Sequence, residues 1–231
     1  GPNIDRAACV LPENVEPMIR GLLGESAQFS PVWYSLYTFQ CRRMERFVHD
    51  RVIFAGDSAH LVSPFGARGC NGGIADADNL AWKLGLVLKE EASPKLLASY
   101  DYESQRIADE NIRCSTRSTD FMTPKSAVSR AFRDAVLDLA GEFPFARPFV
   151  NSGRLSSAVS FPLSILNTSD EKQEWGGIPP GSPAIDAPTR AGWLLNYLGD
   201  RFVLLTNGWK GKGPQGVRRV DIAEIDDAGR I

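Results

Sequence analysis

The 231-residue chain carries 26 Lys and Arg against 28 Asp and Glu, a net charge of −2, and with no basic run nucleic acid is not expected as a main partner. Its apolar fraction of 43% is ordinary for a globular protein with a real core, whereas no run of about 18 apolar residues offers a membrane span and no signal peptide is visible. Cys9, Cys41, Cys70 and Cys114 lack C-x-x-C spacing and accompany only two histidines, so no metal site is expected and reduced thiols in a cytoplasm are the simplest reading.

The length fits one large domain, or a domain with a piece of another. Gly1-Pro2 reads as a protease-cleavage scar, which would make the chain an excised piece. Met18, Ile19, Leu22 and Leu23 form a short helical pattern ended by Gly24. Pro31 to Phe39 is rich in aromatic and β-branched residues and reads as a strand, packing on a core rather than touching substrate. Arg42, Arg43 and Arg46 then read as a solvated turn.

Val52-Ile53-Phe54-Ala55 is a short apolar run that predicts a buried strand. It ends at Gly56-Asp57, where a carboxylate sits at the mouth of a turn. Glycines at 66, 69, 72 and 73 follow, then a helix to about Lys89 whose predicted apolar face is Ile74, Ala77, Leu80, Ala81 and Leu84. Strand, acid, glycine-rich loop and helix start let backbone N–H groups approach an electron-rich ligand, with the helix dipole favouring negative charge. Asn71 is a candidate helix cap, and Asp76 and Asp78 fall in the first turns, where acids are favoured. Trp82 reads as packing. His60 reads as a hydrogen-bonded structural histidine in preference to a general base, and Arg68 reads equally as a surface residue or a ligand contact.

Ser93-Pro94 is a helix start, opening an amphipathic surface helix from Lys95 to about Cys114; Thr116 to Lys125 breaks the pattern. Ser126 to Leu139 predicts a third helix, stopping at Gly141. Regular pattern fades from Phe143 to Arg190, where prolines and glycines suggest a long surface connection with a domain boundary near 176–184. Beyond it, 191–195 suggests a short helix, Phe202 to Thr206 a buried strand, 217–225 another strand and 226–229 a turn.

The order Gly56-Asp57-x-Ala59-His60, Pro64, Gly66-Ala67-Arg68-Gly69-x-Asn71-x-Gly73-Ile74, Asp76 and Leu80-x-Trp82-Lys83-Leu84 resembles the second flavin-binding motif of the class A FAD-dependent monooxygenases, the aromatic-ring hydroxylases. The resemblance covers roughly residues 30–206. It implies that the Gly56-Asp57 turn binds FAD through the Asp57 carboxylate on the ribityl chain, that Pro64 lies beside the isoalloxazine, and that Gly69, Cys70, Asn71 and Gly72 face its pyrimidine ring. The amides near Asn71-Gly72 would then stabilise the anionic reduced ring. Pro180 to Pro188, with Trp193-Leu194-Leu195 and Phe202 to Leu205, is similar to the start of the thioredoxin-like domain of phenol-hydroxylase-type members, although no C-x-x-C supports redox chemistry there.

The fold class implied is α/β: the C-terminal part of a Rossmann-like FAD-binding hydroxylase fold followed by the start of a thioredoxin-like domain. Residues 1–40 would end the substrate domain, 41–175 would form the FAD-binding part with a helical extension, and 176–231 the partial or abbreviated last domain. The implied reaction is hydroxylation of a phenolic substrate with FAD, NAD(P)H and O₂. No G-x-G-x-x-G is present to hold the FAD pyrophosphate, so the chain is expected to be inactive without an N-terminal half. Catalytic residues are not assigned. A non-catalytic folding or homodimerisation module and a related FAD-dependent epoxidase or halogenase stand as alternatives.

Overall fold

The computed structural model describes residues 4–150, 158–168, 178–190, 192–199 and 201–225. Helix α1 (Pro12–Leu23) begins on a proline whose missing N–H a first helical turn does not need. Residues 31–39, predicted as a strand, form no strand ladder, with Val32, Trp33 and Tyr37 exposed. A strand exists only through its neighbours, and among the described residues this segment has none.

Four two-residue strands follow: β1 (Arg42–Arg43), β2 (Val48–His49), β3 (Val52–Ile53) and β4 (His60–Leu61). β2 pairs antiparallel with β3, and β1 with β4. The buried strand expected at 52–55 is therefore the short arm of a hairpin, with Val52 exposed. Arg43 is not in a solvated turn. Its guanidinium grips Asp109 through two bonds of 2.6 and 3.0 Å and donates to Gln105, and the Asp109 bond holds it firmly charged.

Helix α2 (Arg68–Leu88) lies against α3 (Leu97–Met122), the long helix at the centre of the molecule. The apolar stripe predicted for α2 is its buried face only in part: Leu80 packs against the core and Leu84 is half-buried, but Ile74, Ala77 and Ala81 are exposed, whereas Arg68, Gly72, Asp76 and Lys83 are buried. Nor is α3 a surface helix, since Tyr100 and Ala108 join Phe47 and Ala59 in the core. It also continues through the polar stretch expected to break it. Ser118, Thr119 and Thr123 return their hydroxyls to carbonyls one turn back, and Ser63 joins Ser115 and Thr119 across the interface at 2.6 and 2.8 Å.

The α2–α3 contact is fastened by an ion pair. Glu103 accepts from Lys83 at 2.6 Å, Asn79 at 3.0 Å and Ser164 at 2.6 Å, so both oxygens are engaged. Burial pulls the Lys83 ammonium below its usual range while Glu103 opposes that shift. Ser93 caps the turn leading into α3, as expected, and Ser126 caps α4 (Ala127–Glu142), which runs past Gly141 and leaves Val128 and Phe132 exposed. A short α5 (Arg147–Val150) follows.

In the C-terminal part, β5 (Pro188–Thr189) pairs with β6 (Gly192–Trp193), and α6 (Leu195–Leu198) follows. β7 (Val203–Thr206), the expected strand, lies parallel to β8 (Arg218–Asp221). The strand expected over 217–225 gives way after Asp221 to a helical turn, α7 (Ile222–Ile225), because the Asp221 carboxylate accepts from the Ala223 and Gly208 amides. The predicted turn at 226–229 and part of the boundary at 176–184 lie outside the described residues. Trp82 packs edge-on against Phe202 at 5.2 Å, joining α2 to this part.

Glu103→Ala should destabilise the protein by about 3–5 kcal/mol, because it strands a buried ammonium; urea unfolding measures this.

Candidate flavin site

The loop between β3 and α2 is built from the inside outward. Gly56 takes φ +58, a left-handed conformation that glycine adopts freely, and opens a single 3-10 turn over Gly56–Ser58. Ser58 closes this turn locally, accepting from the Ala55 amide at 3.2 Å and donating to the Ala55 carbonyl at 2.7 Å. Tyr100 donates to the Phe54 carbonyl at 2.8 Å, and burial raises its hydroxyl pKa.

The main fastening is Asp76, which has no exposed surface. It lies in the third turn of α2, not among the first-turn acids where the dipole would favour it. Its Oδ2 accepts from the Gly56 amide at 2.8 Å and from His60 Nε2 at 2.7 Å. His60 is 3% exposed and stacks on Phe47 at 5.8 Å, the structural role expected for it. The sequence marks Asp76 as a motif position and a favourable acid near the helix start, but not its bonds to Gly56 and His60. The spacing of Gly72, Asp76 and Lys83 along one helix face was the available signal.

Gly72 belongs to the same inner layer. A Cβ there would stand 3.1 Å from His60 Cε1 and 3.2 Å from Asn111 Nδ2. Gly73 in turn lies against Gly56, its added Cβ 3.7 Å from the Gly56 Cα. The 3.7 Å at Gly73 is an ordinary contact, so it is Gly72 whose missing side chain the close packing of His60 and Asn111 requires, a demand made by the protein's own interior.

Asp57, Pro64, Cys70 and Asn71 are exposed, and Gly69 is half-buried. The Asp57 carboxylate has no hydrogen-bond partner among the described residues and lines a cavity of about 300 Å³ with Arg42, Arg43, Ser58 and His60. Asn71 is not the cap of α2: the helix is preceded by Ala67 at φ +50, and Asn71 Nδ2 donates back to the Ala67 carbonyl at 3.0 Å. The amides left without intrahelical acceptors are therefore those of Arg68, Gly69 and Cys70, one turn before the Asn71-Gly72 amides expected to stabilise a flavin. Arg68 is not a surface residue, and its Nε and Nη1 are buried without hydrogen-bond partners among the described residues. An acceptor-only carboxylate on a fixed turn and a donor-only helix start together fit a cofactor with a hydroxylated chain and an electron-rich ring.

Residues 9–115 match the family described as FAD binding domain. The 3-(3-hydroxy-phenyl)propionate/3-hydroxycinnamic acid hydroxylase of Paraburkholderia xenovorans (strain LB400) is 30% identical over 165 residues, 71% of this chain and 26% of the relative. The Comamonas testosteroni hydroxylase of the same name is 35% identical over 126 residues, 54% of this chain and 21% of the relative. Among solved structures, the substrate-free form of the rebeccamycin biosynthetic enzyme RebC aligns with a TM-score of 0.59 at 27% identity, over 84% of this chain and 37% of that one. The Diels-Alderase PyrE3 shares the fold, with a TM-score of 0.64 at 24% identity over 96% of this chain and 44% of that one.

Residues 9–115 are thus part of an FAD-binding domain. The chain is similar to these hydroxylases over the segment that carries its motif, and it spans about a quarter of the length of these two curated relatives.

Gly72→Ala should destabilise the protein by about 1–3 kcal/mol, since His60 is held by both Asp76 and Phe47 and cannot yield freely. Thermal unfolding beside the wild type tests the sign against the gain in helix propensity of about 1 kcal/mol.

Proposed function

We propose that the chain is the C-terminal part of an enzyme that hydroxylates a phenolic substrate using FAD, O₂ and NAD(P)H, and that it is inactive without the N-terminal part. The observation that carries this reading is Asp57: an exposed carboxylate without a hydrogen-bond partner among the described residues, on a turn fixed from within, inside the segment that matches an FAD-binding domain. FAD would supply the redox chemistry. The residues here would bind and orient it, Asp57 accepting from ribityl hydroxyls, Pro64 flanking the ring, and the loop Gly69-Cys70-Asn71-Gly72 bordering its pyrimidine edge.

The phenolic substrate class is supported by the two curated relatives, whose names describe hydroxylation of hydroxyphenyl acids. Residues 1–40, 41–175 and 176–231 are proposed as the end of the substrate domain, the FAD-binding part and a thioredoxin-like start. The parallel β7–β8 pair is compatible with the last of these. A cytoplasmic setting agrees with four free cysteines, and no helix among the described residues is long and apolar enough to cross a membrane.

In the complete enzyme, Asp57→Ala should weaken FAD binding by about 1.5–3 kcal/mol, the loss of hydrogen bonds to a charged group. Flavin fluorescence titration of the apoenzyme reads this, and full flavin retention after gel filtration would count against the assignment. Product analysis with a hydroxyphenyl acid and NAD(P)H tests the reaction itself. Flavin binding without a hydroxylated product would favour an epoxidase, a halogenase or a non-oxygenating relative.

A further inference from the structure

We propose that Asp76 is the positioning residue for Asp57: a single buried carboxylate oxygen fastens the start of the turn that presents Asp57 to the cofactor and the strand that follows it. The inference rests on the reading of Asp57 as an FAD ligand. The turn starts at Gly56, whose amide donates to Asp76 Oδ2 at 2.8 Å, and leads into β4 at His60, whose Nε2 donates to the same atom at 2.7 Å. Asp57, Ser58 and Ala59 lie between these two anchors. Asp76 itself has no exposed surface, so it reaches a cofactor only through the turn.

The way Asp76 is satisfied points to position rather than stability as its contribution. Its second oxygen, Oδ1, is buried without a hydrogen-bond partner among the described residues. A buried carboxylate with one oxygen unsatisfied is a poor stabiliser, because desolvation offsets much of what its bonds contribute. It is, however, an effective clamp: both donors must converge on one point, and moving either leaves the charge less satisfied. Gly72 completes the clamp, since a side chain there would press on the His60 ring that Asp76 holds.

A double-mutant cycle in the complete enzyme tests this, with FAD affinity and the thermal midpoint of the apoprotein read for every variant. Asp57→Ala and Asp76→Ala should each raise the dissociation constant for FAD by about tenfold or more, and the double variant should stay within about threefold of Asp57→Ala alone. Asp76→Asn, which keeps an oxygen able to accept from both donors, should stay within about threefold of the wild type. His60→Gln, which loosens only the β4 side of the turn, is run alongside and carries the cycle if Asp76→Ala does not fold. It should weaken FAD binding, again without multiplying the effect of Asp57→Ala.

Effects that multiply in the double variants, or Asp76 and His60 variants that lower the apoprotein midpoint while leaving FAD affinity unchanged, would overturn the proposal and leave the FAD reading standing. An Asp57→Ala enzyme with unchanged FAD affinity would remove that reading, and this inference with it.

Discussion

The contact between α2 and α3 buries two carboxylates, and the rest of the molecule is arranged around satisfying them. An ionised side chain taken out of water is tolerated only when donors meet it. Glu103 is met by Lys83, Asn79 and Ser164, which draws α2 and the segment around residue 164 onto α3. Asp76 is met by the Gly56 amide and His60, which draws the β3–α2 turn onto α2. Neither set of donors is local in sequence, so each carboxylate fixes a tertiary relationship that local propensity would leave free. Tyr100 and Asp101 extend the pattern from α3, the first donating to the Phe54 carbonyl and the second accepting from the Phe47 and Val48 amides.

That arrangement divides the loop into two layers. Gly72, Asp76 and His60 face inward and spend their hydrogen-bonding capacity, or their lack of a side chain, on the protein itself. Asp57, Pro64, Cys70 and Asn71 face outward. A rigid inner layer is what makes an exposed acid useful as a ligand, since less ordering entropy remains to be lost on binding. The turn at Gly56 is held by backbone, side-chain and packing contacts at once, so Asp57 projects from a fixed base.

The motif was legible because its demands are local: a glycine where the backbone turns left-handed at Gly56, a glycine where a helix crosses a turn, an acid at the strand end. The packing was less so. The helical period of α2 was right, but the apolar stripe meets the buried face only through Leu80 and Leu84, because here the buried side also carries Asp76 and Lys83 and the apolar Ile74 is exposed. Hydrophobicity alone does not register an ion pair whose partner, Glu103, lies 20 residues away. The strand expected at 31–39 had the right composition, yet strand formation is decided by a neighbour and not by the segment itself. The extension of α3 through Ser115, Ser118 and Thr119 was hidden because hydroxyls that usually compete with a helix here bond back along it and across to Ser63.

Under the proposed function, donors and acceptors are sorted in a way that suits one orientation of the cofactor. The Asp57 carboxylate only accepts, and a ribityl chain offers hydroxyl donors. The first turn of α2 only donates, through the amides of Arg68, Gly69 and Cys70, and a reduced isoalloxazine offers an electron-rich edge of carbonyl and ring nitrogen. Reversing the ligand would set acceptor against acceptor at Asp57 and leave the helix amides facing hydroxyls, whose neutral bonds draw less on the dipole. The order of acid first and helix start second along the chain is therefore a statement of polarity. It selects which end of the flavin lies where, and it depends on the turn and the helix holding a constant separation, which the shared oxygen of Asp76 enforces.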